Sequence, residues 1–187
     1  MIILAPLLVS VLVGLLRGGS LLALAKVQFS YGGLILLAVA LQRVIYTSWW
    51  EGVPTLAGWT STVYSVSMAV LLLAVGLNHT LPGMGLLGAG LFLNSIAVWS
   101  NGGHMPASLW ALQTAGFLPA DQHIAAWQLN NSILMSDSSR LWFLCDIFAL
   151  PQSWPLANVF SIGDLLIVVG GIIFSQCVLV PSSATSA

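Results

Sequence analysis

The chain has 187 residues, 58% of them hydrophobic and only 5% charged, whereas a water-soluble domain carries about 25% charged residues. The composition excludes an ordinary soluble domain and points to an integral membrane protein. Four basic against five acidic side chains leave a formal charge of −1, with no basic patch to hold a phosphate backbone, so nucleic acid is excluded as a partner.

A transmembrane helix needs about 20 mostly apolar residues to cross about 30 Å of hydrocarbon, and five segments are candidates. Residues 1–16 carry Pro6 near their start. They lack the basic region and small-residue cleavage site of a secretory leader, so they read as a span. The others are residues 31–50, 59–77, 84–99 and 159–180. Residues 101–158, between the fourth and fifth, are too polar to cross and too apolar to float free.

Arg17 and Lys26 fall in the first connection, Arg43 and Arg140 toward the other face, so the positive-inside rule does not orient the chain. The tryptophans do. Trp49, Trp50, Trp59, Trp99, Trp110, Trp127, Trp142 and Trp154 all fall on one side of a five-span arrangement, and indole rings collect at headgroup depth, where an apolar body keeps one N–H wet. The expected fold is therefore an all-α integral membrane protein. A single bundle, residues 1–187, has about five transmembrane helices and a Trp-rich cap of short interfacial helices, residues 101–158, on the outer face. The N-terminus is then outside and the C-terminus cytoplasmic, in a bacterial cytoplasmic membrane.

Within the cap, Pro106 opens a short helix through Ser108 and Leu112 that Gly116 closes, since proline presets the first helical φ and glycine accepts the left-handed stop. A second helix is expected from an N-cap at Asp121, carrying Ile124, Trp127, Leu129, Ile133 and Leu134 in an approximately helical rhythm. Pro151 and Pro155 impose an extended lead-in to the last span. Gly85 and Ala89 on the fourth span, and Gly170 and Gly171 on the fifth, predict close helix packing.

A charge within a bilayer costs about 2.5 to 3.5 kcal/mol on insertion scales, so each one requires a partner or a role. Arg43 lies about 9 Å and Asp164 about 6 Å inside the outer boundary at 1.5 Å per residue, and Asn94 reaches a comparable depth. Arg43, Asn94, Asn101 and Asp164 are therefore the expected polar cluster beneath the cap. The plainer alternative is that Arg43 snorkels to the headgroups and Asp164 pairs with it or caps a helix. Chemistry would need a second titratable group, for which Asp137 and Asp146 are the candidates, because two carboxylates sharing one site can hold one proton between them. Each is otherwise a solvated loop carboxylate.

His79, His104 and His123 lie outside the apolar segments, where a haem or pigment ligand is not expected. His104, His123 and Asp121 offer a zinc set only without the usual spacing of paired ligands. No metal and no cofactor is expected, and Cys145 and Cys177 suggest no disulfide framework.

The motifs Arg17-Gly-Gly-Ser20, Asn101-Gly-Gly-His-Met-Pro106 and Val159-Phe-Ser-Ile-Gly-Asp164 resemble a bacterial membrane-protein family of unknown function, number 5317 among the domains of unknown function. The C-terminal third has a more distant likeness. Asp137-Ser-Ser-Arg-Leu-Trp142, Cys145-Asp-Ile-Phe148 and Phe160-Ser-Ile-Gly-Asp164 resemble the end of lipoprotein signal peptidase, in which an aspartate near Arg-Leu-Trp and a later Phe-Asn-x-Ala-Asp supply two catalytic carboxylates. That resemblance implies an aspartyl dyad of Asp137 and Asp164 at the outer leaflet, with Asn101 in a substrate-side motif.

Two function classes follow. The first, and the one expected, is a non-catalytic accessory or scaffold subunit, its partners the lipid bilayer and other membrane-protein subunits. The second is a membrane-embedded aspartyl hydrolase. A transporter is disfavoured by the lack of repeat symmetry and of a midplane charge.

Overall fold

The computed structural model describes residues 4–119, 124 and 126–180. Among them the chain is mostly helical, with five long apolar helices on the five apolar segments: α1 (Leu4–Leu16), α3 (Gly32–Val44), α6 (Thr60–Leu77), α7 (Met84–Ser100) and α9 (Ile162–Leu179). The 18 residues of α6 and of α9 are long and apolar enough to cross a membrane, and α1, α3 and α7 are shorter apolar helices. Short helices α2 (Leu21–Ala25), α4 (Ser48–Glu51), α5 (Pro54–Ala57) and α8 (Leu109–Thr114) occupy connections.

The segment 31–50 is not one helix. It stops at Val44 and restarts at Ser48 because Thr47, in extended backbone, donates its hydroxyl to the Val44 carbonyl and accepts the Trp50 amide, opening α4. Pro54 opens α5 at its first turn.

The side-chain pairs give the directions of the helices. Gly83 meets the Gly170 carbonyl and Gly90 the Gly163 carbonyl, so α7 and α9 run antiparallel at close approach. Leu7 meets Gly171, Ser10 bonds Ser175 at 2.7 Å and Gly14 meets Leu179, so α1 runs parallel to α9. Asn78 ties the end of α6 to the residue before α3's start region by exchanging bonds with both backbone groups of Ser30, while Tyr46 and Tyr64 meet edge-on at the other end. α3 and α6 are therefore antiparallel. The glycines that pack are not the expected pair on α7: Gly85 has nothing near its Cβ direction and Ala89 is exposed.

Met68, Val75, Met84, Leu91 and Val98 form the core between α6 and α7, continued by Met105 and Cys145. Each long helix also turns large apolar side chains outward, among them Leu12, Leu36, Leu73, Phe92 and Val169.

Residues 101–158 differ from the all-helical expectation. Ser108 caps α8 by accepting the Ala111 amide, and Gly116 closes it at φ +78°, but Pro106 lies in a strand, β1 (Met105–Ala107). The second cap helix is absent where it can be judged: Gln128–Leu129 is β2 and Ser132–Leu134 is β3. They pair antiparallel around Asn130, which takes the left-handed φ of 52°, and β3 pairs parallel with β1. β4 (Phe148–Leu150) and β5 (Asn158–Phe160) form a second antiparallel pair, the latter leading into α9. Pro151 and Pro155 lie in the turn between them rather than in an extended lead-in. The proposed N-cap Asp121 lies outside the described residues.

Candidate functional site

The start of α9 sets the geometry. Ser161, fully buried in extended backbone, accepts the Asp164 amide on its hydroxyl at 3.1 Å, and Asp164 Oδ2 accepts the Ser161 amide at 3.0 Å, a reciprocal capping box. A carboxylate here also faces the positive end of the helix dipole. Asn94 of α7 completes the arrangement. Its Nδ2 donates to Asp164 Oδ1 at 2.8 Å, and its Oδ1 accepts the Ser161 hydroxyl at 2.8 Å. The three side chains form a closed ring, possible only because residue 163 is glycine: a Cβ there would overlap the Asn94 amide.

Asp146 approaches the same place from above. Its amide donates to the Pro106 carbonyl and its carbonyl accepts the Ser108 amide, both at 3.0 Å, so β1 holds its backbone on two sides and a bridge to Ala107 fixes the register. The residue is 8% exposed. Its carboxyl group has no hydrogen-bond partner among the described residues, although it lines a cavity of about 380 Å³ together with Gln42, Tyr64, Asn94, Asn131 and Asp164. Burial, and after it the charge of Asp164, pushes the Asp146 carboxyl up to about 8. The neighbouring Cys145 thiol is raised to about 11 for the same reasons, burial first and Asp146 second; both cysteines are free.

Among the expected cluster residues, Asn94 and Asp164 are hydrogen-bonded to one another. Asn101 is engaged elsewhere: its Nδ2 donates to the carbonyls of Ala97 and Arg140, and its Oδ1 accepts the Arg140 amide. Asn101 thereby clamps the Arg140 backbone to the end of α7. Arg43 is exposed on α3, with no ion pair among the described residues. Asp137 is exposed in the turn where Ser136 bonds Ser138 and Ser139, and it does not line the cavity. The carboxylate that shares the cavity with Asp164 is Asp146. The one local signal for it is that Asp146 interrupts the apolar run from Phe143 to Leu150. His104 contacts Ser61 at 3.5 Å, while Asp121 and His123 of the zinc alternative lie outside the described residues.

A helical protein with two carboxylates at one inter-helix cavity is the class that this geometry defines. The chain belongs to a family of unknown function, DUF5317, which matches residues 26–176. It is also similar to an uncharacterised protein of Thermotoga maritima, 26% identical over 173 residues, covering 92% of this chain and 87% of the relative. No solved structure matches the chain.

Proposed function

We propose that the chain is a non-catalytic, five-span integral membrane protein that binds a small polar group in the acidic cavity, working as an accessory subunit beside other proteins of a bacterial cytoplasmic membrane. In this reading, residues 101–158 cap the outer face and the C-terminus is cytoplasmic. Support for the membrane comes from the belt of outward apolar side chains on all five long helices, since soluble surfaces rarely expose contiguous apolar patches of this kind. Outward faces such as that of Leu36 and Leu37 on α3 are available to lipid or to a partner subunit.

The observation that carries the binding role is the Asp146 carboxyl group: its residue is almost wholly buried, its oxygens open onto the cavity, and it has no hydrogen-bond partner among the described residues. Among the described residues no buried side-chain polar atom is left unpaired, so these oxygens are reachable from the cavity, and a ligand that donates to them gains a hydrogen bond in surroundings of low dielectric. Asp146 and Asp164 are also the feature shared with an aspartyl hydrolase. Against catalysis, Asp164 uses one oxygen on Asn94 and the other on the helix cap, and the alanine of the peptidase pattern would displace Asn94 from position 163.

The test is native mass spectrometry of the protein purified from its own membranes, wild type beside Asp146→Asn. The expected result is a bound molecule retained by the wild type and lost from the variant, with no cleavage of membrane-anchored peptides by either. Identical adducts of bulk phospholipid in both proteins would overturn the binding role, and Asp146-dependent cleavage would overturn its non-catalytic character.

A further inference from the structure

A second cavity, of about 680 Å³, lies toward the opposite end of the bundle, and the two share Leu71 and Leu87 as a common wall. The helices carry the pair as continuous stripes. Along α6, Tyr64, Met68 and Leu71 face the first cavity and Leu71, Val75 and Asn78 the second. On α9 the order is Asp164 and Ile167, then Gly171 and Phe174. These spacings of three and four residues keep one helix face turned to both compartments.

The compartments differ in chemistry. The lower one is walled by aliphatic and aromatic side chains, and its polar wall residues are satisfied internally: Asn78 by Ser30 and Ala74, Ser175 by Ser10 and Ile172. The upper one carries two carboxyl groups and no basic side chain on its wall. From Tyr64 to Asn78 the stripe covers about 21 Å at 1.5 Å per residue. An apolar chain fits below and a head that donates hydrogen bonds fits above, whereas an anionic head would meet two carboxyl groups with no cation to offset them.

We propose that the ligand is a single-chain amphiphile with an amine headgroup, its ammonium beside Asp146 and its alkyl chain passing Leu71 and Leu87 into the apolar cavity; this rests on the binding role proposed above. The experiment uses the delipidated full chain in detergent, offered hexadecylamine, hexadecanoate or butylamine, with adducts counted by native mass spectrometry. Hexadecylamine is expected to bind one to one, with hexadecanoate and butylamine each retained at least about ten-fold less. Asp146→Asn is expected to lower hexadecylamine retention about ten-fold by removing the ionisable partner of the head. Gly32→Leu, which grows a side chain at a lower-cavity position where a Cβ meets only Phe29 at 3.6 Å, is expected to lower it similarly, with circular dichroism confirming the fold of both variants. Equal retention of hexadecanoate overturns the amine head. Asp146-dependent binding of butylamine as tight as that of hexadecylamine, unaffected by Gly32→Leu, overturns the amphiphile but leaves the acidic cavity as a binding site. Amine binding indifferent to Asp146 overturns both.

Discussion

Asn94 donates to Asp164 Oδ1 at 2.8 Å and accepts from Ser161, so one amide joins the middle of α7 to the first turn of α9 through both of its polar ends. Replacing it with leucine leaves the buried Ser161 hydroxyl without its acceptor and Asp164 Oδ1 without its donor. The expected cost is about 1–3 kcal/mol, read as a lower thermal unfolding midpoint in detergent. Asp164→Asn is expected to cost less than Asp164→Leu, because the asparagine can still cap the helix by accepting the Ser161 amide. Equal losses for the two Asp164 variants would show that the capping box contributes nothing.

Gly163 and Gly90 predict a difference of sign. A Cβ at Gly163 overlaps Asn94, and one at Gly90 overlaps the Gly163 carbonyl and Ile167, so alanine at either position must push α7 and α9 apart, costing about 1–3 kcal/mol. At Gly85, where nothing lies near, alanine is expected to be neutral or to stabilise α7 by roughly 0.5–1 kcal/mol through the lower backbone entropy of the unfolded chain. The three variants are compared by thermal unfolding, and a destabilised Gly85→Ala would contradict this helix packing.

Asp146 predicts a pH dependence. Its carboxyl group, pushed up to about 8 by burial and then by Asp164, has a value of about 3.9 in an unfolded chain. Between those values the folded state binds more protons than the unfolded one. The stability linked to this group is therefore full below about pH 4, declines as pH rises, and is gone above about pH 8. Across that window the unfolding midpoint of the wild type is expected to fall relative to that of Asp146→Asn, and a protonated-carboxyl infrared band is expected at pH 6 in the wild type alone. Parallel midpoints from pH 4 to 9 would remove Asp146 as the titrating group.

What the sequence made legible divides along the kind of signal. Long apolar runs located α1, α3, α6, α7 and α9, because a run of fifteen or more apolar residues has few other solutions. Gly116 marked the end of α8 through stop chemistry that is local, whereas the expected start at Pro106 gave way to a cap at Ser108 because Pro106 is taken up in β1. The run from Ile124 to Leu134 misled, since its apolar spacing fits a helix about as well as two short strands. The Asn130-Asn131 pair between them is the overlooked turn signal, asparagine being the residue after glycine that best tolerates a left-handed φ. Asp137 drew attention through its Arg-Leu-Trp context, whereas Asp146 reaches the cavity only because β1 pins its backbone, a contact across some forty residues that no local pattern carries.

Topology supplies the last prediction. The pairs Leu7 with Gly171, Ser10 with Ser175 and Gly14 with Leu179 make α1 and α9 parallel, and three helices alternate in direction between them. Were all five to cross the bilayer, the chain would enter and leave on opposite faces. The 13 residues of α1 and of α3 rise only about 20 Å each, short of about 30 Å of hydrocarbon. Crossing then depends on local thinning of the bilayer or on neighbouring residues such as α4 filling the remainder. Reporter fusions at the two termini test this directly. A reporter active only in the cytoplasm is expected to work at the C-terminus and fail at the N-terminus; activity at both ends would mean an even number of crossings, with one of the two 13-residue helices, α1 or α3, half-embedded rather than crossing.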